Sequence, residues 1–122
     1  MIVELSKEYR FEAAHHLPRV PPGHKCARLH GHSYRVELHV RGAVDPQTGW
    51  LVDFGVLDDV FAAEVFRRLD HRNLNEVPGL ENSTCEILAA FVWNAIRPAV
   101  PQLSAVTVWE TVDASCTYRG EG

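Results

Sequence analysis

Three histidines have the spacing of a metal site. His30 and His32 are two positions apart in a segment that continues as alternating polar and apolar residues, and residues i and i+2 of an extended chain point to the same face. His15 ends an earlier alternating segment on its apolar face, whereas the neighbouring His16 shares the parity of the polar face. Three imidazoles with one open position are typical of catalytic zinc, although other divalent metals also suit such ligands. The sequence therefore predicts a Zn²⁺ site at His15, His30 and His32.

Cys26, in the loop before the His-Gly-His motif, is the cysteine with a basic setting. Lys25 precedes it and Arg28 follows two residues later, and positive neighbours favour the thiolate form. We interpret Cys26 as a catalytic thiol, and its basic neighbours as groups that steer a phosphorylated substrate. The alternative is a closed structural zinc site with Cys26 as the fourth ligand. Cys85 and Cys116 lack basic neighbours, and we interpret them as structural.

Two acidic positions complete the candidate chemistry. Asp70 and His71 follow a predicted helix, where they form either a proton relay or a charge pair at the helix end. Glu110 shares the parity of Val106 and Val108 and so lies on the apolar face of a predicted strand. A carboxylate in that position needs a partner. Donors from a ligand or a buried arginine would each satisfy it.

The elements that must position these side chains follow from periodicity. Alternation predicts strands at 2–14 and 33–41, with an extended run at 50–53 that would form a hairpin with the second strand. Helices are predicted at 56–69, with Asp53 as N-cap, and from a capping box at 83–86 to Pro98. Two further strands are predicted at 104–112 and 116–119. The order β-β-α-α-β-β indicates an α+β fold with a mostly antiparallel sheet.

Composition narrows the class of protein. The 122 residues predict a single domain, 1–122, and the net charge of −4 argues against a nucleic-acid-binding protein. No apolar run approaches the roughly 18 residues of a membrane span, so no membrane partner is expected. The charged N-terminal segment is unlike a signal peptide, and three cysteines are too few for a disulfide framework. We expect a cytoplasmic protein.

The motifs taken together resemble the tetrahydropterin synthase family. The similarity lies in their order and spacing along the whole chain: Phe11 to His15, Cys26 to His32, Leu69-Asp70-His71, Leu80 to Glu86, and Glu110 followed by Tyr118 to Glu121. The resemblance implies the tunnelling fold, in which subunits join their sheets into a barrel and trimers stack as a homohexamer, a dimer of trimers. It also implies a small-molecule pterin triphosphate as substrate.

Roles for individual residues come from the same resemblance. It assigns zinc to His15, His30 and His32, in agreement with strand parity. It implies that Cys26 abstracts a proton, that Asp70 and His71 relay one, and that Glu110 anchors the ring nitrogens of the pterin. Thr84 and Glu86 match positions that contact the pterin in the family, while Cys85 departs from the usual Thr, Ser or Ala.

The spacing between Cys26 and His30 distinguishes subgroups within the family. Three residues separate the two, which is similar to bacterial 6-carboxytetrahydropterin synthases of queuosine biosynthesis. The implied reaction converts 7,8-dihydroneopterin triphosphate to 6-carboxy-5,6,7,8-tetrahydropterin with loss of acetaldehyde and triphosphate. Two alternatives stay open, a 6-pyruvoyltetrahydropterin synthase and a non-catalytic zinc-binding assembly module.

Overall fold

Two long antiparallel strands form the centre of the fold. The computed structural model describes all 122 residues, and strands β1 (Ile2–His15) and β2 (His30–Ala43) pair along their whole length. The five-stranded sheet has the order β3-β1-β2-β4-β5, completed by β3 (Arg72–Asn73), β4 (Leu103–Trp109) and β5 (Ser115–Tyr118). Only the pairing of β3 with β1 is parallel, so the predicted α+β class with a mostly antiparallel sheet is confirmed.

Two helices cover one face of the sheet. Helix α1 spans residues 54–69, with an α-helical part Phe54–Phe61, a π-helical segment Ala62–Phe66 and a last turn Arg67–Leu69. Helix α2 is Cys85–Ile96. Neither helix is long and apolar enough to cross a bilayer.

The hydrophobic core lies between this helical layer and the inward face of the sheet. Alternate residues of β1 and β2 point into it, as the period-two pattern predicts. Phe11 and Tyr34 stack at 5.0 Å at the end of the sheet that carries the histidines. The core thus fixes the end of the strand pair from which the candidate site projects. Its fully buried side chains include Val36, Leu38, Val40, Leu57, Val65, Leu69, Leu88 and Ile96.

Several predicted element boundaries differ from those in the structure. Residues 50–53 form no strand and therefore no hairpin with β2, because β2 is already paired on both edges, by β1 and by β4. The cap of α2 is Thr84, whose hydroxyl accepts a hydrogen bond from the Ile87 amide, and not Ser83. Strand β4 ends at Trp109, so Glu110 lies just beyond it. Asp53 does cap α1, although the helix begins at Phe54.

Candidate metal centre

Three imidazoles meet where β1 ends and β2 begins. His15 pairs with His30. His32 pairs with Ala13, two residues further along the two strands. The ligand nitrogens of His15, His30 and His32 lie within 4.8 Å of one another. Their ring centroids are 4.7 to 5.1 Å apart, with angles of 66° to 87° between the ring planes. His16 is outside the cluster, as strand parity predicts.

Backbone carbonyls fix the orientation of two of these rings. His15 is fully buried, and its Nδ1 donates to the carbonyl oxygen of Ser83 at 2.8 Å. His30 Nδ1 donates to the carbonyl oxygen of Arg28 at 2.7 Å. A carbonyl can only accept, so each ring carries a proton on Nδ1, and Nε2 is the nitrogen that would bind a metal. Sequence reasoning missed Ser83, which it interpreted as a helix cap.

Glu110 completes the cluster. Its Oε1 lies 3.3 Å from His15 Nε2 and 3.6 Å from His32 Nε2. The hydrogen bond to His15, followed by the charges of the neighbouring histidines, lowers the pKa of Glu110 despite its burial. Burial lowers the pKa of His32, with Glu110 acting in the opposite sense. The two shifts therefore favour the carboxylate form of Glu110 and the neutral form of His32.

The three imidazole nitrogens are suitable ligands for a divalent metal ion. Neutral imidazole nitrogens are the common protein ligands of Zn²⁺, and the orientation of two rings is fixed by hydrogen bonds from their other nitrogen, as is usual for metal-binding histidines. The sulfur of Cys26 is not among the ligand atoms that come together. The cluster thus has the composition of a catalytic site with an accessible position, and it lacks the fourth cysteine ligand that a closed structural site would require.

Asp70 and His71 form a rigid pair beside the end of β1. Asp70 Oδ2 accepts from His71 Nδ1 at 2.8 Å, and Oδ1 accepts from the Glu12 amide at 3.0 Å. These contacts, the Glu12 amide foremost, lower the pKa of Asp70. The amide of His71 donates to the Glu12 carbonyl at 2.6 Å, and His71 has a left-handed φ of 57°. A non-glycine residue in that conformation is held there at a cost in strain.

A groove connects this pair to the histidine cluster. Its volume is about 540 Å³, and both His32 and His71 line it together with Glu12, Ser33 and Arg72. The side chain of His71 is 78% exposed, so its Nε2 is open to a molecule in the groove. The structure therefore brings His71 of the predicted relay and one predicted metal ligand, His32, to the same opening.

Cys26 lies in the loop that leads into β2. A short 3-10 turn, Lys25–Ala27, contains it, with His24 as its cap. The Cys26 carbonyl accepts from the Leu17 amide at 2.7 Å. This bond ties the loop to the segment just after His15. Lys25 and Arg28 are both exposed.

The predicted substrate contacts on α2 lie beside Glu110. A cavity of about 270 Å³ is lined by Glu86 and Glu110 together with Cys85 and Cys116. The Cys85 thiol donates to the Val108 carbonyl, and burial is the main reason that its pKa rises to about 12. Burial also raises the pKa of Cys116. Thr84 is not among the residues that line this cavity, and its hydroxyl caps α2. The two cysteines are thus neutral packing groups, as predicted.

Comparisons with known proteins agree on one family. Residues 4–121 match the family described as 6-pyruvoyl tetrahydropterin synthase. The chain is 40% identical to a Synechocystis protein named 6-carboxy-5,6,7,8-tetrahydropterin synthase, over 92% of this chain and 89% of the relative. It is 36% identical to a Dictyostelium discoideum 6-pyruvoyl tetrahydrobiopterin synthase, over 80% and 75%. The Caenorhabditis elegans 6-pyruvoyl tetrahydropterin synthase structure superposes with a TM-score of 0.91 at 29% identity, covering 99% of this chain and 97% of that one.

Proposed function

Because the chain belongs to the 6-pyruvoyl tetrahydropterin synthase family, we propose that it is a zinc-dependent lyase that acts on 7,8-dihydroneopterin triphosphate. The products are 6-carboxy-5,6,7,8-tetrahydropterin, acetaldehyde and triphosphate. The observation that carries the proposal is the cluster of His15, His30 and His32, whose free nitrogens lie beside a carboxylate and a groove. Residues 1–122 act in it as a single domain.

The metal centre supplies electrophilic chemistry. His15, His30 and His32 would hold Zn²⁺, which would act as a Lewis acid towards oxygens of the substrate side chain. The hydrogen bonds from His15 to Ser83 and from His30 to Arg28 hold the two rings ready for the metal. This preorganisation avoids reorientation of the ligands during the reaction.

We assign proton transfer to Cys26 and to the Asp70–His71 pair. In this proposal the Cys26 thiolate removes a proton from the substrate side chain. His71, oriented by Asp70 at 2.8 Å, exchanges a proton through its exposed Nε2. General acid–base steps of this kind each contribute roughly 10²–10⁴-fold in rate.

We assign recognition of the pterin ring to Glu110. An ionised carboxylate accepts two parallel hydrogen bonds from neighbouring N–H groups, and the edge of a pterin ring offers such a pair. Glu86 lines the cavity beside Glu110, and in this proposal Glu86 and Thr84 contact the ring. Lys25 and Arg28, on the exposed loop, attract the triphosphate.

The choice between two products rests on the relatives. The 40% identical Synechocystis protein carries the carboxy name, and the 36% identical Dictyostelium protein carries the pyruvoyl name. The short spacing from Cys26 to His30 favours the carboxy product. We assign the protein to queuosine (7-deazaguanine) biosynthesis in the cytoplasm on the same grounds. Restoration of queuosine in the tRNA of a bacterial strain that lacks its own 6-carboxytetrahydropterin synthase tests that assignment.

Product identification tests the activity itself. The zinc-loaded protein is incubated with 7,8-dihydroneopterin triphosphate, and the products are analysed by mass spectrometry and by an acetaldehyde assay. We expect 6-carboxytetrahydropterin and acetaldehyde in equal amounts. A pyruvoyl product without acetaldehyde supports the alternative enzyme of the family. No turnover of the zinc-loaded protein contradicts both and favours a zinc-binding assembly module.

The edges of the sheet support assembly as a homohexamer. Strand β1 pairs with the short β3 only at Ala13 and Ala14, so most of its outer edge has no strand partner. At the opposite edge, β5 is paired on one side only. Unpaired edges are templates for strands of another chain, and joining β5 of one copy to β1 of the next closes sheets into a barrel. Light scattering with size-exclusion chromatography measures the number of subunits, for which we expect six.

A further inference from the structure

Three arginines line a cleft at the carboxyl end of α1. Arg67 and Arg68 belong to the last turn of the helix, and Arg72 follows in β3. The cleft has a volume of about 390 Å³, and Glu76 is the one carboxylate in its lining. It therefore carries an excess of positive charge, in a chain whose net charge is −4.

None of the three guanidinium groups is paired with a carboxylate. The cations in the ion pairs of the chain are one lysine, one other arginine and four histidines. The Cζ atom of Arg68 lies 4.7 Å from the centre of the Phe91 ring, and a stacked guanidinium keeps its N–H edge free for an anion. The helix dipole favours cations at a helix C-terminus. This accounts for Arg67 and Arg68 but not for Arg72, which lies outside the helix.

The arginine cleft adjoins the groove of the candidate metal centre. Arg72 and Asn73 line both, and the groove is also lined by His32 and His71. Glu110 lies 3.6 Å from His32. The side chains thus follow one path, from Glu110 through the two histidines to the arginines.

The substrate named in the proposed function has three parts in a matching order. In 7,8-dihydroneopterin triphosphate the reacting side chain lies between the pterin ring and the triphosphate. A ring at Glu110 and a side chain between the metal and His71 direct the triphosphate towards the arginine cleft. Arginine donates two parallel hydrogen bonds to phosphate oxygens, which makes it well suited to such a group. Lys25 and Arg28 line neither the groove nor the cleft.

We propose that the cleft of Arg67, Arg68 and Arg72 holds the triphosphate of the substrate. This inference rests on the proposed function for the identity of that substrate. Lys25 and Arg28 attract the anion from solvent, whereas the three arginines bind it. The cleft thereby fixes the end of the substrate remote from the pterin, so that the reacting carbons are held in the groove between two anchored ends.

Inorganic triphosphate is the probe, because it carries the charged group without the pterin. Calorimetric titration of the zinc-loaded full chain compares the natural protein with Arg67→Gln and Arg72→Gln at one ionic strength, since salt screens exposed charges. We expect each substitution to weaken triphosphate binding by about tenfold or more, as loss of a hydrogen bond between charged groups does. Zinc content is measured after each titration, because triphosphate itself chelates divalent metals.

Arg97→Gln is the matched control. Arg97 is an exposed arginine at the carboxyl end of α2, and it lines neither the groove nor the cleft. We expect its triphosphate affinity to equal that of the natural protein. Arg67 and Arg72 are also exposed, so all three variants should fold, which circular dichroism verifies.

A second comparison determines whether the cleft serves the substrate or only free oligophosphate. Binding of 7,8-dihydroneopterin, which has no phosphate, is followed by fluorescence and should be equal in the natural protein, Arg67→Gln and Arg72→Gln. The kcat/KM for 7,8-dihydroneopterin triphosphate should fall by about tenfold or more in both variants. Weaker binding of inorganic triphosphate with unchanged kcat/KM would overturn the assignment of the cleft to the substrate.

The outcomes separate this inference from the proposed function. Equal triphosphate affinity in the natural protein and both cleft variants, or no binding by the natural protein, overturns the arginine site and leaves the zinc lyase intact. An equal loss in Arg97→Gln also overturns it, because general charge would then explain the binding. Triphosphate binding that depends on Arg67 and Arg72, without turnover of the substrate, supports the anion site and contradicts the proposed function.

Discussion

The Nδ1 nitrogen of His15 donates a hydrogen bond to the carbonyl oxygen of Ser83 at 2.8 Å, in a part of the core where both residues are fully buried. Ser83 Oγ lies 3.2 Å from the same nitrogen. The segment that leads into α2 therefore holds a ring at the end of β1. Because α2 also carries Glu86, this contact connects the metal cluster to the cavity proposed for the pterin.

The two adjacent histidines give the first prediction. His15→Ala should abolish stoichiometric zinc binding, because it removes a ligand whose Nε2 points into the cluster. His16→Ala should leave zinc content unchanged, since that residue contacts Asn75 only through its backbone. Metal analysis of both variants after dialysis measures the difference. Equal losses of zinc would contradict the assignment of His15.

Cys26 and Cys85 give the second prediction. Cys26→Ala should lower kcat by about 10²–10⁴-fold while zinc content is retained, as loss of a general base does. Cys85→Ala removes a thiol whose pKa is about 12 because of burial, so it is neutral at pH 7 and is not required as a base. Steady-state kinetics with metal analysis test both variants. If Cys26→Ala retains full activity with zinc bound, the thiol is not the base.

Much of the site was predictable because strand alternation determines which side chains share a face. Parity separated His15 from His16 and directed His30 and His32 towards the same side as Tyr34. Glu110 was expected on the inward face of its strand, and it does approach the histidines, although β4 ends one residue earlier. Pairing of β1 with β2, which brings the three rings together, is a tertiary contact and has no signal in either segment alone.

Other features could not be obtained from local patterns. Ser83 and Thr84 are both good N-cap residues, and only the packing of Ser83 against His15 decides that Thr84 takes the cap. In α1 the apolar residues recur at every fourth position, which drifts around a helix of 3.6 residues per turn. The π-helical segment Ala62–Phe66 has more residues per turn, and it keeps Val65 and Leu69 buried. The spacing of four residues between apolar positions was therefore the feature of the sequence that indicated the π-helical segment.

Asp70 gives the third prediction. Asp70→Asn should lower kcat by roughly 10²–10⁴-fold, because an amide NH₂ facing His71 Nδ1 disfavours the tautomer that the carboxylate selects. The dependence of kcat on pH should also change, which a purely structural role would not produce. Asp53→Asn is the control, since Asp53 likewise accepts from a backbone amide and asparagine caps a helix equally well. An unchanged pH profile in an active Asp70→Asn variant would remove the relay from the mechanism.

A cluster far from the metal, at Asp58, gives the last prediction. Asp58 accepts from Lys7 Nζ at 3.0 Å and from the Tyr9 hydroxyl at 2.7 Å. The hydrogen bond from Lys7 is the main cause of the lowered pKa of Asp58, and that from Tyr9 is the next. A carboxyl whose pKa is depressed in the folded state stabilises the protein above its unfolded pKa of about 3.9, and this contribution is lost as the pH falls through the folded value.

The free energy of unfolding should therefore decrease below about pH 4, and Asp58→Asn should remove part of that decrease. The contribution at neutral pH should be less than about 1 kcal/mol, because both side chains of the ion pair are more than a third exposed and water weakens their attraction. Urea unfolding followed by tryptophan fluorescence between pH 3 and 6, at one protein concentration, measures it. Asp59→Asn should reproduce the natural pH dependence, since Asp59 is exposed and makes no such contacts. A parallel loss in both variants would mean that general charge, and not the Lys7–Asp58–Tyr9 cluster, determines acid stability.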